Sequence, residues 1–227
     1  MKPTFIITAT ALLFGLCTAC SEAQTQTNAQ QDRVRNLASA ESTSDTPRAT
    51  TTSSTETIGT AAQGWTVIKD RSHLKFSALQ TGNEFTGEFG AFDAEIMFHP
   101  EQLDQASVRV TVDMGSFDAF DKDRNEALPS KEWFHLKEFP KAVFLADDFT
   151  QNSDGSYVTN GSLKLKDISR ELALPFTLEI TDGEAVMKST LTLNRADWNV
   201  GTGIWATDDW VSLGVSLDIE ITATSTE

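Results

Sequence analysis

Apolar and polar residues alternate with a period of two through most of the chain after Trp65. Because successive side chains of a β-strand point to opposite faces, this alternation predicts strands with one apolar face each. The apolar positions of the clearest runs are Leu74, Phe76 and Ala78; Phe92, Ala94, Ile96 and Phe98; Val108, Val110, Val112 and Met114; Ala142, Phe144 and Ala146; Leu172, Leu174, Phe176, Leu178 and Ile180; and Val211, Leu213, Val215, Leu217, Ile219 and Ile221. A chain with this pattern must bury the apolar faces of its strands against one another.

Glycine-containing dipeptides separate several of the alternating runs. Gly82-Asn83, Asp154-Gly155 and Asp182-Gly183 are typical of tight hairpin turns. Short connections favour antiparallel neighbours, and the runs amount to about eight strands. Such strands can hide their apolar faces by packing as two sheets or by closing into a barrel. A closed barrel of about eight strands has room for its own side chains or for one small ligand.

One stretch, from Phe117 to Phe144, departs from the period of two. Ser116 or Asp118 can cap a short helix in this stretch, and Pro129 ends it. The predicted buried stripe and the aromatic corner that follows it are formed by Phe117, Phe120, Leu128, Trp133, Phe134 and Phe139. We interpret this stretch as the cap and corner of a barrel, with core packing as the simpler role of any single aromatic residue in it.

Residues 1–19 have the layout of a secretory signal peptide, with Lys2, an apolar run too short to span a bilayer, and then small residues. The stretch from Leu16 to Cys20 resembles a bacterial lipobox, so we expect Cys20 to become the acylated N-terminus of the mature protein. The alternative is an ordinary secretory cleavage nearby, with Cys20 left as a free thiol. Cys17 leaves with the signal, so the mature domain is expected to fold without a disulfide.

Acylation would anchor an exported protein in a membrane. Ser21 after the cysteine favours the outer membrane, so we expect a periplasmic protein held on that membrane. Residues 20–63 are rich in Ser, Thr, Ala and Gln and contain almost no large apolar side chain. We therefore expect a disordered tether there, with an r.m.s. span of roughly 35–40 Å. Residues 64–227 would form the single folded domain.

The chain carries a formal net charge of −15, almost all of it on the residues after Gly64. An acidic surface of this kind repels nucleic acid, which excludes that class of partner, and it also repels anionic membrane surfaces. Solubility is a sufficient explanation for the charge itself.

Catalytic and metal-binding patterns are missing from the sequence. It contains neither a Gly-x-Ser-x-Gly elbow nor a His-Glu-x-x-His pair, and its 3 histidines fall in separate segments. Gly201-x-Gly203 lacks the third glycine of a dinucleotide-binding loop. We therefore predict a protein that is not an enzyme and that uses no metal or cofactor.

Short motifs along the domain resemble the YceI family in both order and spacing, from about Trp65 to Ala223. These motifs are Ser72-x-Leu74-x-Phe76, Gly87-x-Phe89, Phe98-x-Pro100-x-x-Leu103, Arg124-x-x-x-Leu128, Trp133-Phe134, Phe139-Pro140-x-Ala142-x-Phe144 and Gly161-x-Leu163-x-Leu165. The resemblance implies an exported, extended antiparallel barrel similar to a lipocalin. It also implies a long apolar lumen that holds a polyisoprenoid or a similar lipid, such as an isoprenoid quinone. Family members often form dimers, so a homodimer is a further expectation.

We thus expect an all-β protein, an eight-stranded antiparallel lipocalin-like barrel with one short helix, that sequesters or transports an isoprenoid-type lipid. The predicted ligand-binding residues are Phe76, Phe89, Phe92, Ile96, Phe98, Phe120, Arg124, Leu128, Trp133, Phe134, Phe144, Leu163 and Leu165. Arg124 either pins the helix to the barrel through an ion pair or contacts a ligand head group. Two other functions stay open. One is an enzyme that acts on a lipid held in the barrel, with Arg124, carboxylates or His135 as its polar groups, and the other is a structural surface lipoprotein with a solid core.

Overall fold

The structure is a computed structural model that describes residues 62–226. The predicted signal peptide at residues 1–19 and the predicted lipidation site Cys20 lie outside the described residues, as does the predicted tether up to residue 61. Within residues 62–226, none of the helices has the length and apolar character needed to cross a membrane.

Strands dominate the described domain, and one short α-helix interrupts them. The strands are β1 (Gly64–Val67), β2 (His73–Gln80), β3 (Asn83–Phe89), β4 (Phe92–Met97), β5 (Ser107–Asp113), β6 (Phe117–Asp118), β7 (Lys141–Gln151), β8 (Tyr157–Leu165), β9 (Ile168–Thr181), β10 (Glu184–Asn194) and β11 (Gly214–Thr226). The helix α1 spans Lys122–Ala127. Single 3₁₀ turns occupy Lys69–Arg71, Leu103–Gln105, Met114–Ser116, Arg195–Trp198 and Gly203–Trp205.

The pairing of β1 with β11 closes the sheet into a barrel in which all neighbouring strands are antiparallel. The eight strands of the closed ring are β1, β4, β5, β7, β8, β9, β10 and β11. This confirms the predicted antiparallel barrel with one short helix. Of the two architectures that the alternation allows, the chain adopts the closed one.

Three further strands lengthen one end of the barrel. β2 continues the line of β1, β3 that of β4, and β6 that of β5, and they pair in the order β11, β2, β3, β6. The break between β1 and β2 is held by Ser72, whose hydroxyl donates to the Ile68 carbonyl at 2.8 Å and accepts from the Thr222 amide at 3.0 Å. The wall therefore bends at this junction while remaining hydrogen-bonded.

The ladder between β9 and β10 is shorter than either strand. It runs from the Thr181 and Glu184 pair beside the hairpin turn to the Thr177 and Lys188 pair. Past that point, within the described part of the chain, β9 is paired only with β8 and β10 only with β11. The barrel wall thus contains one seam where two neighbouring strands run side by side without a backbone ladder.

The hairpin turns agree with the sequence at two of the three predicted positions. Asp182 and Gly183 form a two-residue turn with φ of 51° and 78°, which is the left-handed pair that such turns require. The first turn is displaced by one residue from the prediction. Gln80 pairs with Asn83, so the turn residues are Thr81 and Gly82, at φ of 49° and 81°.

The helix begins later than predicted. Its N-cap is Asp121, whose carboxylate accepts from the Arg124 amide at 3.0 Å, so the prediction of Ser116 or Asp118 as the cap is wrong. The Asp118 carboxylate instead accepts from the Asn125 side chain at 2.9 Å, and that hydrogen bond lowers the pKa of Asp118. The last helical residue is Ala127, and its C-cap Leu128 keeps a helical backbone directly before Pro129. Pro129 has no N–H with which to continue the helical hydrogen bonds.

Apolar packing forms two clusters, one toward each end of the barrel. One cluster is centred on Phe98, Tyr157 and Phe176 near the β1 end. The other contains Phe76, Leu128, Trp133, Phe134 and Trp198 beside the aromatic corner. The corner therefore packs onto the barrel end as predicted.

Gly87 permits a close approach of β3 to the Phe76 ring in the corner cluster. A Cβ built on it would collide with the Phe76 ring and would lie 2.7 Å from the Asp118 carbonyl oxygen. Nearby Gly90 differs, because a Cβ there would lie 3.4 Å from the Ser116 carbonyl oxygen and meet nothing else within 4 Å.

Arg195 is the most extensively hydrogen-bonded side chain of the described domain, and it is 4% exposed. Its guanidinium donates to five backbone carbonyls at N···O distances of 2.8–3.2 Å, those of Val200, Gly201, Thr207, Val211 and Ser212. The same group lies 5.3 Å from the centre of the Trp133 ring. Burial lowers the pKa of Arg195, and Asp208 acts in the opposite direction. One buried cation thus holds together the connection between β10 and β11.

Arg195→Met should destabilise the domain by on the order of 3 kcal/mol, because it removes every donor to these carbonyls while keeping much of the side-chain volume. Urea unfolding of the two proteins measures the difference. The matched control is Arg170→Met, since Arg170 is exposed and its Nε donates to a single carbonyl, that of Asp197, at 3.2 Å. Equal stability of the two variants would contradict the assigned role of Arg195.

Gly87→Ala should cost about 1–3 kcal/mol, because the added methyl group must displace the Phe76 ring or the β6 backbone. Gly90→Ala should change the stability by much less, since its Cβ has space. Thermal unfolding of both variants gives the comparison. A Gly90→Ala variant that is destabilised as strongly as Gly87→Ala would show that glycine flexibility, and not close packing, dominates at these positions.

Candidate functional site

Two neighbouring cavities occupy the inside of the barrel. The terminal chamber lies toward the β1 end, has a volume of about 210 Å³, and is lined among others by Trp65, Phe98 and Phe176. The corner chamber lies beside the aromatic corner, has a volume of about 160 Å³, and is lined among others by Phe76, Trp133 and Trp198. The residues that line both chambers are Leu74, Val112, Leu163 and Leu217. The two cavities are therefore neighbours with this ring of aliphatic side chains between them, and together they make up the lumen of the barrel.

The chamber walls consist of the inward-facing positions of the alternating strands. On β9, Leu172, Leu174, Phe176 and Leu178 line the terminal chamber. Ser107 and Thr159 are the polar residues in the wall of the terminal chamber, and Arg195 is the polar residue in the wall of the corner chamber. The Thr159 hydroxyl donates to the Asp148 carbonyl at 2.8 Å, and the donors of Arg195 are used as described above. The lumen thus offers almost no free hydrogen-bonding group to water or to a polar ligand.

Most of the predicted ligand-binding residues lie in these walls. Phe92, Ile96, Phe98 and Phe144 line the terminal chamber, and Leu163 lines both. Those in the corner chamber are Phe76, Phe89, Leu128, Trp133, Phe134 and Leu165. Their contact with a ligand stays a prediction, because what the structure gives is their position around an apolar cavity.

Phe120 does not line either chamber and is 60% exposed. The helix cap at Asp121 leaves Phe120 before the first helical turn, with a left-handed φ of 53°. The residue therefore does not belong to the stripe shared by Phe117 and Leu128, and its placement in that stripe was wrong.

Arg124 also lies outside both chambers and connects the helix to the barrel. Its guanidinium donates to the Gln80 side chain at 3.1 Å and twice to the Ala119 carbonyl at 3.3 Å. It also lies over the Phe85 ring, with 4.7 Å between Cζ and the ring centre. The closest carboxylate, that of Asp121, is 3.9 Å away. Hydrogen bonds and ring stacking, more than an ion pair, thus attach the helix to β2 and β3.

Several lining residues were not predicted as site residues, although the alternating runs of β9 and β11 contained some of them. Leu174, Leu191 and Ile219 belong to β9, β10 and β11, where the family motifs are sparse. The role of Arg195 had no signal in the sequence, because its partners are backbone carbonyls.

Aromatic side chains close the terminal chamber at the β1 end. The Phe98 ring lies 5.6 Å from the rings of Phe149 and Tyr157, and Tyr157 stacks on Phe176 at 5.2 Å. The Trp65 indole donates to the Phe98 carbonyl at 2.9 Å. All of these residues lie on paired strands except Phe98, which directly follows β4. The backbone hydrogen bonds between the strands therefore fix the positions of the aromatic rings at this end of the lumen.

The titratable groups with shifted pKa values lie outside the chambers, apart from Arg195. Arg71 lowers the pKa of Glu184 by a side-chain hydrogen bond on the outer surface, and Lys69 does the same to Asp93. Burial lowers the pKa of Lys166, whose ammonium donates to the Asn199 carbonyl at 2.7 Å. The walls contain no carboxylate and no imidazole among the described residues.

The histidines are separated in the structure as they are in the sequence. His73 pairs with Asp218, the His99 ring accepts from the Glu101 amide at 3.2 Å, and His135 lies 3.6 Å from Glu138. In residues 62–226, no group of three or more His, Cys, Asp or Glu side chains is arranged to hold a metal ion.

Comparisons with known proteins agree with this architecture. A family model for the YceI-like domain matches residues 65–223. The UPF0312 protein YE1254 of Yersinia enterocolitica is 24% identical over 152 residues, which cover 64% of this chain and 76% of that protein. Other UPF0312 relatives, from Photorhabdus laumondii and Shewanella baltica, are matched over 50% and 63% of their lengths.

Solved structures with the same fold include BcnA of Burkholderia cenocepacia, which is 28% identical, with a TM-score of 0.67 over 70% of this chain and 100% of that one. A domain from Saccharophagus degradans, named as a polyisoprenoid-binding domain, has a TM-score of 0.57 and 13% identity and covers 72% of this chain and 99% of its own. At that identity the second likeness shows the fold alone. The family match spans nearly the whole barrel, from β1 to β11, and the chain therefore belongs to the YceI-like domain family.

Proposed function

We propose that this protein binds one isoprenoid-type lipid, such as a quinone or a polyprenyl chain, and sequesters or transports it in the lumen of its barrel. The observation that carries the proposal is the lumen itself, two neighbouring chambers whose walls are apolar apart from Ser107, Thr159 and Arg195, the last two of which are already hydrogen-bonded. The Saccharophagus domain of the same fold, named for binding polyisoprenoids, supports the choice of ligand class.

The energetics favour a long hydrocarbon over a compact polar ligand. Each square ångström of apolar surface removed from water contributes about 25 cal/mol before the ordering of the ligand is subtracted. A chain that spans both chambers would bury surface along its whole length against Leu74, Leu163 and Leu217 at their junction. A polar head group, in contrast, would find few partners inside, so it would remain near an opening.

The proposed location is the periplasm, on a membrane anchor. It rests on the signal peptide at residues 1–19, the lipobox with Cys20 and the tether at residues 20–63, all read from the sequence. In this proposal the barrel collects or delivers its lipid close to the membrane that holds it. A homodimer also stays a proposal, since it is expected only from the resemblance.

The two alternatives from the sequence are weaker. An enzyme acting on the held lipid would need a polar reactive group in the lumen, and the predicted candidates Arg124 and His135 are not among the residues that line it. A solid structural core would leave no room for a ligand, whereas the chambers have volumes of about 210 and 160 Å³.

Leu163→Trp should weaken lipid binding on the order of tenfold or more, because the larger side chain fills the junction that the lipid must cross. Binding is measured as tritium-labelled prenyl alcohol retained by the protein after gel filtration. The matched control is Leu145→Trp on the neighbouring strand β7, since Leu145 is 44% exposed and lines neither chamber.

The control variant should bind as the wild type does. Equal retention by both variants would contradict a lumen site, and no retention by the wild type would contradict the carrier function. Chemical conversion of the retained alcohol would support the enzyme in place of the carrier.

Cys20→Ala should move the protein from the membrane fraction to the soluble periplasmic fraction, because the acyl anchor can no longer be attached. Detergent phase partition of cell extracts measures the distribution, and Cys17→Ala is the control, since Cys17 is expected to leave with the signal peptide. A Cys20→Ala protein that still partitions with detergent would show that the anchor prediction is wrong.

A further inference from the structure

The seam between β9 and β10 ends at a proline. The last ladder pair is Thr177 with Lys188, and continuing the same register would place Pro175 opposite Thr190. Pro175 has no backbone N–H, so it cannot donate a hydrogen bond to Thr190 in the next pair of the ladder. Its carbonyl accepts instead from the hydroxyl of Ser189, which is 5% exposed, at 2.6 Å. A strand residue presents its N–H and C=O to the same neighbour, so the missing donor of Pro175 faces β10.

The seam is closed again at its other end. The Arg170 guanidinium donates to the Asp197 carbonyl at 3.2 Å, and the Trp198 indole donates to the Leu163 carbonyl at 3.0 Å. These bonds attach the 3₁₀ turn after β10 to β8 and β9. Between the Ser189 bond and the Arg170 bond, the facing edges extend for about five residues of β10, or roughly 15 Å.

The side chains behind the seam belong to the lumen. Leu172 and Leu174 on β9 and Leu191 on β10 line the terminal chamber, and Leu193 lines the corner chamber. The outward-facing positions between them are exposed, including Ala173 on β9 and Thr192 on β10. The seam thus separates solvent from the lumen close to where the two chambers meet.

From this we infer that the seam bounded by Pro175, Ser189 and Asp197 is a side opening through which a hydrocarbon chain enters and leaves the lumen. The inference rests on the proposed function, since it names the route to the same lumen. At the two barrel ends a chain would have to displace packed side chains, the aromatic rings around Phe98 at one end and Trp133 and Phe134 of the corner at the other. At the seam only leucine side chains and backbone groups outside any ladder have to move, and regions with few backbone hydrogen bonds open at low free-energy cost. A long chain can therefore pass sideways without being threaded through a barrel end.

A covalent link across the seam tests this route. Ala173→Cys with Thr192→Cys places two thiols on opposite edges of the seam, and a flexible bismaleimide joins them. The control pair is Thr177→Cys with Lys188→Cys, which lies on the existing ladder where the strands are already joined. Both pairs are made in a Cys20→Ala background so that no other thiol interferes in the mature protein.

Uptake is followed by stopped-flow quenching of tryptophan fluorescence with a ubiquinone, since Trp65, Trp133 and Trp198 all line the lumen. The link at Ala173 and Thr192 should slow both uptake and release by on the order of tenfold or more and leave the dissociation constant nearly unchanged, because an opening affects both directions equally. The link at Thr177 and Lys188 should leave both rates as in the unlinked protein.

Unchanged rates after linking the seam would overturn the side opening while leaving the carrier function intact. A link that abolishes binding at equilibrium would also overturn it, because it would show that the seam is part of the site and not its route. Failure of the unlinked protein to bind ubiquinone or prenyl alcohol would overturn the proposed function and this inference together.

A second measurement uses Pro175→Val, which supplies the missing N–H. This variant should slow the uptake and the release of ubiquinone without any covalent link.

Discussion

The closure of β1 onto β11 is the constraint on which the rest of the structure depends. A closed ring sends every second side chain of each strand inward, where its neighbours are mostly apolar. The alternation of apolar and polar residues is therefore not only a surface pattern but the condition for closure. Because the ring is extended by β2, β3 and β6, its interior is long enough to hold two chambers.

The barrel is fastened in different ways along its length. At the β1 end, aromatic side chains on paired strands fill the interior, and their positions follow from the ladder. At the other end the connection between β10 and β11 has no ladder of its own beyond the bridge between Gln80 and Val211. Arg195 replaces a ladder there by donating to carbonyls along that connection. The seam between β9 and β10 is the third case, where a proline ends the ladder and a serine hydroxyl partly replaces it.

Much of the architecture could be predicted from the sequence because it depends on local patterns. Period-two runs indicate strands wherever one face is buried, and the Asp182-Gly183 turn follows from the need for positive φ at two successive residues. The helix cap was assigned wrongly because Ser116, Asp118 and Asp121 are all suitable caps, and only packing of the corner selects among them. Phe120 was placed in the wall for the same reason, since its direction depends on where the helix begins.

The features that could not be predicted involve partners distant in sequence. Arg195 donates to carbonyls, which every residue has, so no residue type marks its partners. The end of the β9 and β10 ladder depends on which way the Pro175 carbonyl points, which a sequence does not reveal. The walls of β9 and β11 were visible in the alternation, whereas that of β10 was not recognised. None of them could be distinguished from a filled core, because the period of two reports burial and not volume.

The central claim is that the lumen holds a lipid, and native mass spectrometry of the mature protein purified from its own host under mild conditions tests it most directly. The account predicts a complex heavier than the polypeptide by the mass of one isoprenoid-type lipid, which organic extraction releases and identifies. A mass equal to that of the processed polypeptide alone, together with no uptake of added prenyl alcohol, would contradict it.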